Sequence, residues 1–173
     1  NKLETYGFER YPDVITNVMM ERLASWSGPT QGKIVRPSNG EPPETVAFVQ
    51  CAGSRDENHL PFCSTICCLA SMKHAHYVRE QLPEAKIYIF FIDVRALDRM
   101  EDFYTRTKSE ENVQFFKGKV AQINQDEASK KLMLKVEDTT AEALHEITAE
   151  LVVLATGMQP TTSEDPLPVE VSY

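Results

Sequence analysis

The spacing of apolar residues changes along the chain, and this change predicts two kinds of strand. The first half alternates short apolar runs with segments of helical spacing. Buried strands are predicted at residues 45–50, 86–92 and 112–116, and helices at residues 66–82 and 98–109. Strands that alternate with helices are typical of a parallel sheet with crossover connections.

Alternation with period two follows in the second half. Three antiparallel strands forming a meander are predicted, at residues 117–124, 131–138 and 144–149. A last buried strand, Leu151 to Leu154, leads into Ala155-Thr156-Gly157. The predicted fold class is therefore α/β, a Rossmann-like parallel sheet with an inserted antiparallel β-meander.

The two ends of the chain give weaker patterns. Residues 1–12 are predicted to be an extended connector, and residues 161–173 a flexible tail. Between them, Asp13 or Thr16 can cap a helix that runs through Ser25 and stops at Gly28-Pro29. Trp26, beside the loop that follows, is predicted to pack.

Composition narrows the classes of function. The chain has 173 residues and a net charge of −8, which disfavours non-specific binding to nucleic acid. It contains no apolar run long enough for a direct membrane span and no signal peptide. Four clustered thiols suit the reducing cytoplasm. Because the chain begins with Asn rather than Met, we expect it to be an excised part of a longer protein.

The candidate chemistry lies in one short segment. It contains all the cysteines of the chain, Cys51, Cys63, Cys67 and Cys68. Four thiolates are the usual ligand set of a [4Fe-4S] cluster and also a possible set for structural zinc. Small buried thiols fit a polar, Pro-containing loop poorly, and disulfides need an oxidising compartment. The adjacent pair Cys67-Cys68 favours a cluster over zinc, because each corner of a cubane is a separate iron atom.

The sequence around the cysteines lacks the glycine motif that binds the pyrophosphate of a dinucleotide. The first strand leads to Gly53 alone rather than to Gly-x-Gly-x-x-Gly, so no NAD(P) binding is predicted in this half. Asp93, at the end of the second strand, is predicted to cap or turn the chain. His59 could ligate or tune the cluster, but a solvated loop histidine is favoured. Lys73, His74 and His76 are predicted to be ordinary surface or packing residues of the helix.

A family resemblance rests on these residues. The run Val49 to His59, with Pro61-Phe62-Cys63-Ser64 and Cys67-Cys68, resembles the A subunit of heterodisulfide reductases. The upstream segments 11–17, 21–23, 27–30 and 34–40 are similar to that family as well. Residues 16–22 and 101–104 look closest to one branch, the A subunit of the quinone-interacting membrane-bound oxidoreductase of sulfur metabolism.

The resemblance implies an electron-transfer oxidoreductase subunit with a thioredoxin-reductase-type second dinucleotide domain. The four cysteines would hold the [4Fe-4S] cluster, and FAD would bind the full-length protein, with Gly157 as a flavin contact. The isolated fragment is expected to bind no FAD and to be inactive. Sister subunits, including a membrane subunit that reacts with quinone, are the implied partners of a cytoplasmic protein.

The same resemblance suggests a domain division. Residues 1–44 would be a connector and helix from a preceding flavin domain, residues 45–160 the Rossmann-like domain with its cysteine-rich insertion, and residues 161–173 the tail. An alternative stays open at this point, in which the cysteines hold a structural metal or form an assembly module without redox activity.

Overall fold

The computed structural model describes residues 2–139 and 143–159 of the chain. Its α-helices are α1 (Asn17–Ala24), α2 (Cys67–Gln81) and α3 (Glu101–Ser109). Its strands are β1 (Val14–Thr16), β2 (Thr45–Val49), β3 (Lys86–Phe91), β4 (Val113–Gln125), β5 (Leu132–Asp138), β6 (Ala143–Ala149) and β7 (Leu151–Leu154). Short 3-10 helices span Lys2–Tyr6 and Asp98–Met100.

The strands form one mixed sheet in the order β1-β7-β2-β3-β4-β5-β6. The pairs from β1 to β4 are parallel, whereas β5 pairs antiparallel with both β4 and β6. The predicted α/β class, a parallel sheet with an antiparallel meander, is confirmed.

Strand β4 differs from the prediction, which divided it into two strands. Its first residues pair with β3, up to Lys117 opposite Phe91, and from Gly118 onward it pairs with β5. The change of periodicity at this point marks a change of partner rather than the end of a strand. Gly118 permits the close approach of β5, because a Cβ atom there would lie 2.3 Å from the carbonyl oxygen of Glu137.

The two faces of the sheet bury two separate cores. On β2, Val46 and Phe48 point to the face covered by the helices, where they meet Met72 of α2. Ala47 and Val49 point to the other face, which is covered by side chains of the meander. The meander thus takes the position that a second helical layer has in a doubly wound fold.

The first residues of the chain are not an extended connector. They form the 3-10 helix Lys2–Tyr6, and Tyr6 is 3% exposed in the core under the meander. The sequence prediction was wrong here because it treated an aromatic residue among polar neighbours as unpacked. Trp26 departs from its prediction in the opposite direction, since it is 85% exposed rather than packed.

The helix predicted to start at Asp13 or Thr16 begins at Asn17. Thr16 caps it by accepting a hydrogen bond from the N–H of Met19 at 3.3 Å. Strand β1 pairs with β7, and Ile15 lies in the same core as the central strands. The origin of residues 1–44 in a preceding flavin domain stays a prediction. The predicted tail, residues 161–173, lies outside the described residues.

No helix within the described ranges has both the length and the apolar character needed to cross a bilayer.

Candidate metal centre

The cysteine segment lies at the edge of the sheet where the parallel strands end. Cys51 follows β2, Asp93 follows β3 and Gly157 follows β7. Strands β3 and β7 flank β2 on opposite sides, and all three are parallel. The chain leaves β2 towards β3 and returns on the other side through β7, so this edge is a topological switch point, the usual ligand site of open α/β sheets.

The fold brings the four thiols into mutual electrostatic interaction. Cys51 interacts with Cys63, Cys67 and Cys68, although 12 to 17 positions separate it from them in the sequence. Cys67 and Cys68 are buried in the first turn of α2, whereas Cys51 and Cys63 are partly buried. All four are free thiols. The side chains singled out as ligands therefore form one group.

The backbone of this segment adopts strained conformations at three residues other than glycine. Cys51, Arg55 and Thr65 have φ angles of 55°, 53° and 62°, in the left-handed region that disfavours side chains. The surrounding loop compensates through its own hydrogen bonds, such as Arg55 N–H to the carbonyl of Phe62 at 3.2 Å. Strain of this kind is characteristic of functional sites, where it fixes side-chain direction.

Each sulfur has a polar group beside it that donates to it or lowers its pKa. The N–H of Thr65 donates to Cys63 Sγ at 3.3 Å. The backbone N–H groups of Gly157 and Arg95 lower the pKa of Cys67 and of Cys68, respectively. The guanidinium of Arg55 lowers the pKa of Cys51. Donors aimed at sulfur stabilise the thiolate form and are among the features that tune iron–sulfur centres.

Burial opposes this stabilisation in the free protein. It raises the pKa of Cys51 to about 11, while Arg55 lowers that pKa and the other three cysteines raise it further. Burial is also the main cause of the raised pKa of Cys67 and Cys68, and the N–H donors of Gly157 and Arg95 partly offset it. Buried thiols whose pKa is raised, as for Cys51, Cys67 and Cys68, gain from a bound cation, which neutralises their thiolates.

The four thiols have the chemistry of a cluster's ligand set. Within the described part of the chain, no three His, Cys, Asp or Glu side chains converge closely enough to hold a single metal ion. The ligands of a [4Fe-4S] cluster each bind a different iron atom, so they do not have to converge on one point. Thiolate chemistry, switch-point position and N–H donors agree with this use of the four cysteines.

Gly157 lies against the cysteine loop. Its φ is +81°, and a Cβ atom there would lie 2.8 Å from Ser64 Oγ. The next residue, Met158, receives a hydrogen bond on its carbonyl from Ser64 Oγ at 3.2 Å and has its N–H 2.8 Å from the same hydroxyl. The turn after β7 is thereby fastened to the loop that bears the thiols. Contact of Gly157 with flavin stays a prediction.

The structure also gives the positions of other residues that the sequence analysis considered near the cysteines. Asp93 is a turn residue as predicted, and it also pairs with Arg55 at 2.5 Å. His59 is exposed on the loop. His74 is 2% exposed and its Nε2 lies 2.7 Å from the carboxylate of Glu21, which also pairs with Lys73 at 2.8 Å.

Sequence reasoning missed the roles of two arginines, Arg55 and Arg95. The position of Arg55 four residues after Cys51 was a usable signal. The position of Arg95 was not, because it lies 27 residues after Cys68 and acts on that thiol through its backbone N–H as well as its charge.

A cavity of about 650 Å³ adjoins this site. It lies between α1, the first half of α2 and the turn at Gly157, and its lining includes Glu21, Lys73 and His74. The apolar side chains of Val18, Ile66 and Met158 also contribute, and each is more than 40% exposed.

The fold and the site together define an α/β domain of the dinucleotide-binding type in which a cysteine loop follows the first central strand. No family model matches the chain. It is 43% identical over 164 residues to an iron-sulfur A subunit, the one numbered 2, of the CoB–CoM heterodisulfide reductase of Methanopyrus kandleri. That alignment covers 94% of this chain and 25% of the relative.

A second relative has a similar name and a similar span. It is the A subunit of the ferredoxin/F420H2-dependent CoB–CoM heterodisulfide reductase of Methanosarcina acetivorans, 42% identical over 167 residues, with 95% of this chain and 21% of that protein covered. The chain therefore spans about a quarter of the length of the curated relatives it matches. Its homologues at about 40% identity are A subunits of heterodisulfide reductases.

Among solved structures, a thioredoxin reductase of Gloeobacter violaceus aligns with a TM-score of 0.41 at 14% identity, covering 74% of this chain and 33% of that one.

Proposed function

We propose that this chain is the cluster-bearing part of an electron-transfer oxidoreductase subunit of the heterodisulfide reductase type. Cys51, Cys63, Cys67 and Cys68 would bind a [4Fe-4S] cluster. The observation that carries the proposal is that four thiols interact electrostatically at the switch point, with polar groups beside them that lower their pKa or donate to sulfur. The name of the Methanopyrus relative, which describes it as an iron-sulfur protein, supports it.

A bound cluster would take up and release single electrons at this edge of the sheet. The residues of the chain prepare the place for it. Cys51 has a left-handed backbone conformation and interacts electrostatically with Cys67 and Cys68, which begin α2. The N–H groups of Thr65, Gly157 and Arg95 and the guanidinium of Arg55 balance the negative charge of the thiolates.

The wider assembly follows from the relatives rather than from the site. We infer a longer protein that also binds FAD, with Gly157 near the flavin, and that transfers electrons to sister subunits of a cytoplasmic complex. The branch with a quinone-reactive membrane partner belongs to this proposal as well. The isolated segment would be inactive, because the flavin and the partners lie outside it.

The first test is chemical analysis after anaerobic reconstitution with iron and sulfide. We expect about four iron and four sulfide per chain and an EPR signal after dithionite reduction. Serine substitution of each cysteine should reduce the iron content and change or abolish the signal. The chain has no cysteine outside residues 51–68, so no other thiol can replace the one that is removed. Each of the four variants is therefore compared directly with wild type.

Other results would contradict the proposal. If the protein takes up no iron, the proposed cluster is wrong. One zinc ion per chain that resists exchange would establish a structural metal site instead. A cluster retained unchanged in one serine variant would remove that cysteine from the ligand set.

A further inference from the structure

Arg55 occupies a fixed position in the cysteine loop. Its φ of 53° lies in the left-handed region, and its N–H donates to the carbonyl of Phe62 at 3.2 Å. The neighbouring residues Ser54 and Leu60 form a β-bridge across the same loop. The backbone therefore determines where the guanidinium starts, and its side chain is only 25% exposed.

The guanidinium extends to two groups. Nη1 donates to Asp93 Oδ1 at 2.5 Å, and the positive charge of the guanidinium also lowers the pKa of Cys51. Asp93 itself lies next to another thiol, since its carbonyl oxygen is 3.9 Å from Cys68 Sγ. Arg55 and Asp93 thus link the end of β2 to the end of β3 between two of the four cysteines.

This geometry places a cation against the ligand set. A side chain of lysine could supply the charge, but a guanidinium has a planar fork of donors and can pair with a carboxylate while its charge lies beside a sulfur. A positive charge at a cluster ligand favours the reduced form, which carries one more negative charge than the oxidised form.

On the basis of the proposed function, we propose that Arg55 raises the reduction potential of the cluster through its positive charge beside the cysteine ligands, and that Asp93 is the positioning residue that holds Arg55 there. The one-electron couple is otherwise unchanged.

Arg95 offers a matched control. Its Nε lies 3.7 Å from the same Asp93 Oδ1, and its side chain is 41% exposed. It meets Cys68 through its backbone N–H, which a substitution of the side chain retains. Arg55→Gln and Arg95→Gln therefore remove the same charge from the same carboxylate. The charge of Arg55 acts on Cys51 and that of Arg95 on Cys68, but the more exposed Arg95 is better screened by water.

The test is a redox titration of reconstituted wild type and variants, followed by EPR, after iron and sulfide have been measured in each. We expect Arg55→Gln to make the midpoint potential more negative than in wild type, with a much smaller shift in Arg95→Gln. Arg55→Lys, which keeps the charge without the fork, should lie between Arg55→Gln and wild type. Equal shifts in Arg55→Gln and Arg95→Gln, or no shift in either, would overturn the inference.

A double substitution tests the role of Asp93. Asp93→Asn removes a negative charge and by itself makes the potential less negative. When Arg55 is present, Asp93→Asn also releases the guanidinium from its position beside the cysteines, and this makes the potential more negative. We therefore expect Asp93→Asn to shift the potential further in the positive direction in the Arg55→Gln background than in wild type. The same shift in both backgrounds would exclude positioning by Asp93.

The two levels of proposal fail differently. If wild type binds no iron, the proposed function is wrong. If every variant has full iron and sulfide content and the wild-type potential, the proposed cluster is retained and the proposed effect of Arg55 on its potential is wrong.

Discussion

The backbone N–H of Gly157 lies beside the thiol of Cys67 and lowers its pKa. This contact joins the turn after β7 to the first turn of α2 across the carboxyl edge of the sheet. Ser64 reinforces it from the cysteine loop, with its hydroxyl 2.8 Å from the N–H of Met158. The turn after β7 is therefore held both to the cysteine loop and to the start of α2, and the site depends on their relative positions.

Substitution of Gly157 by Ala should damage this junction. The variant combines a φ of +81° with a Cβ atom 2.8 Å from Ser64 Oγ, so we expect a loss of about 2–3 kcal/mol in the free energy of unfolding. Gly40→Ala is a matched control, because Gly40 has a φ of +76° and no atom within 4 Å of its added Cβ. Its loss should be about 1 kcal/mol. Denaturant unfolding measures both, and equal losses would contradict the contact with Ser64.

Asp13 should be important for stability although it lies far from the thiols in the sequence. Its carboxylate is fully buried and accepts hydrogen bonds from Arg36 at 3.1 Å and from the N–H and hydroxyl of Ser38 at 2.9 and 2.7 Å. Asp13→Asn leaves Arg36 without its counter-charge, and we expect a loss of about 2–4 kcal/mol. The exposed Glu127→Gln should change the free energy of unfolding by less than about 0.5 kcal/mol. Similar effects of the two variants would show that the carboxylate of Asp13 is not a structural anchor.

Local patterns predicted most of the fold. The runs at β2, β3 and β7 are short and apolar because both faces of these strands are buried, and that composition identifies central parallel strands. The meander was predictable from alternation for a related reason, since one side of β5 is buried and the other is not. The unbroken course of β4 was not predictable, because a change of pairing partner leaves no turn residue in the sequence.

The candidate site shows the same limit. The cysteines could be identified because their residue type is rare and their spacing is short. The N–H groups of Gly157 and Arg95 belong to the backbone, which has the same chemistry at every residue, so only the fold shows that these two meet sulfur. The pair of Glu21 and His74 was missed because 53 positions separate its members.

Truncation of Phe48 should cost more stability than truncation of the larger Trp26. Phe48 is 0% exposed in the core between β2 and the helices, whereas Trp26 is 85% exposed. We expect Phe48→Ala to cost about 3–5 kcal/mol in the free energy of unfolding, because it leaves a cavity, and Trp26→Ala to cost less than about 0.5 kcal/mol. Thermal or denaturant unfolding of the two variants is sufficient. A loss of several kcal/mol in Trp26→Ala would place that ring in the core of the isolated chain.

His74 should make the stability of the protein dependent on pH. Burial lowers its pKa from the ordinary value of 6.5, and Glu21, which would raise it, only partly offsets this effect. The unfolded chain therefore binds a proton at a higher pH than the folded chain does. The contribution of His74 to stability is complete above pH 6.5 and is lost as the pH falls through its lowered pKa, by at most about 1.4 kcal/mol per pH unit.

His74→Gln tests this dependence, because glutamine can still donate to Glu21 but does not titrate. Glu21 stays ionised over the relevant range, since the hydrogen bond from Lys73 leads the effects that lower its pKa. We expect the free energy of unfolding of wild type to fall more steeply than that of His74→Gln between about pH 8 and about pH 5. Denaturant unfolding at a series of pH values measures both slopes. Parallel curves would mean that the imidazole of His74 is protonated equally well in the folded and unfolded chains, contrary to its burial beside Phe48.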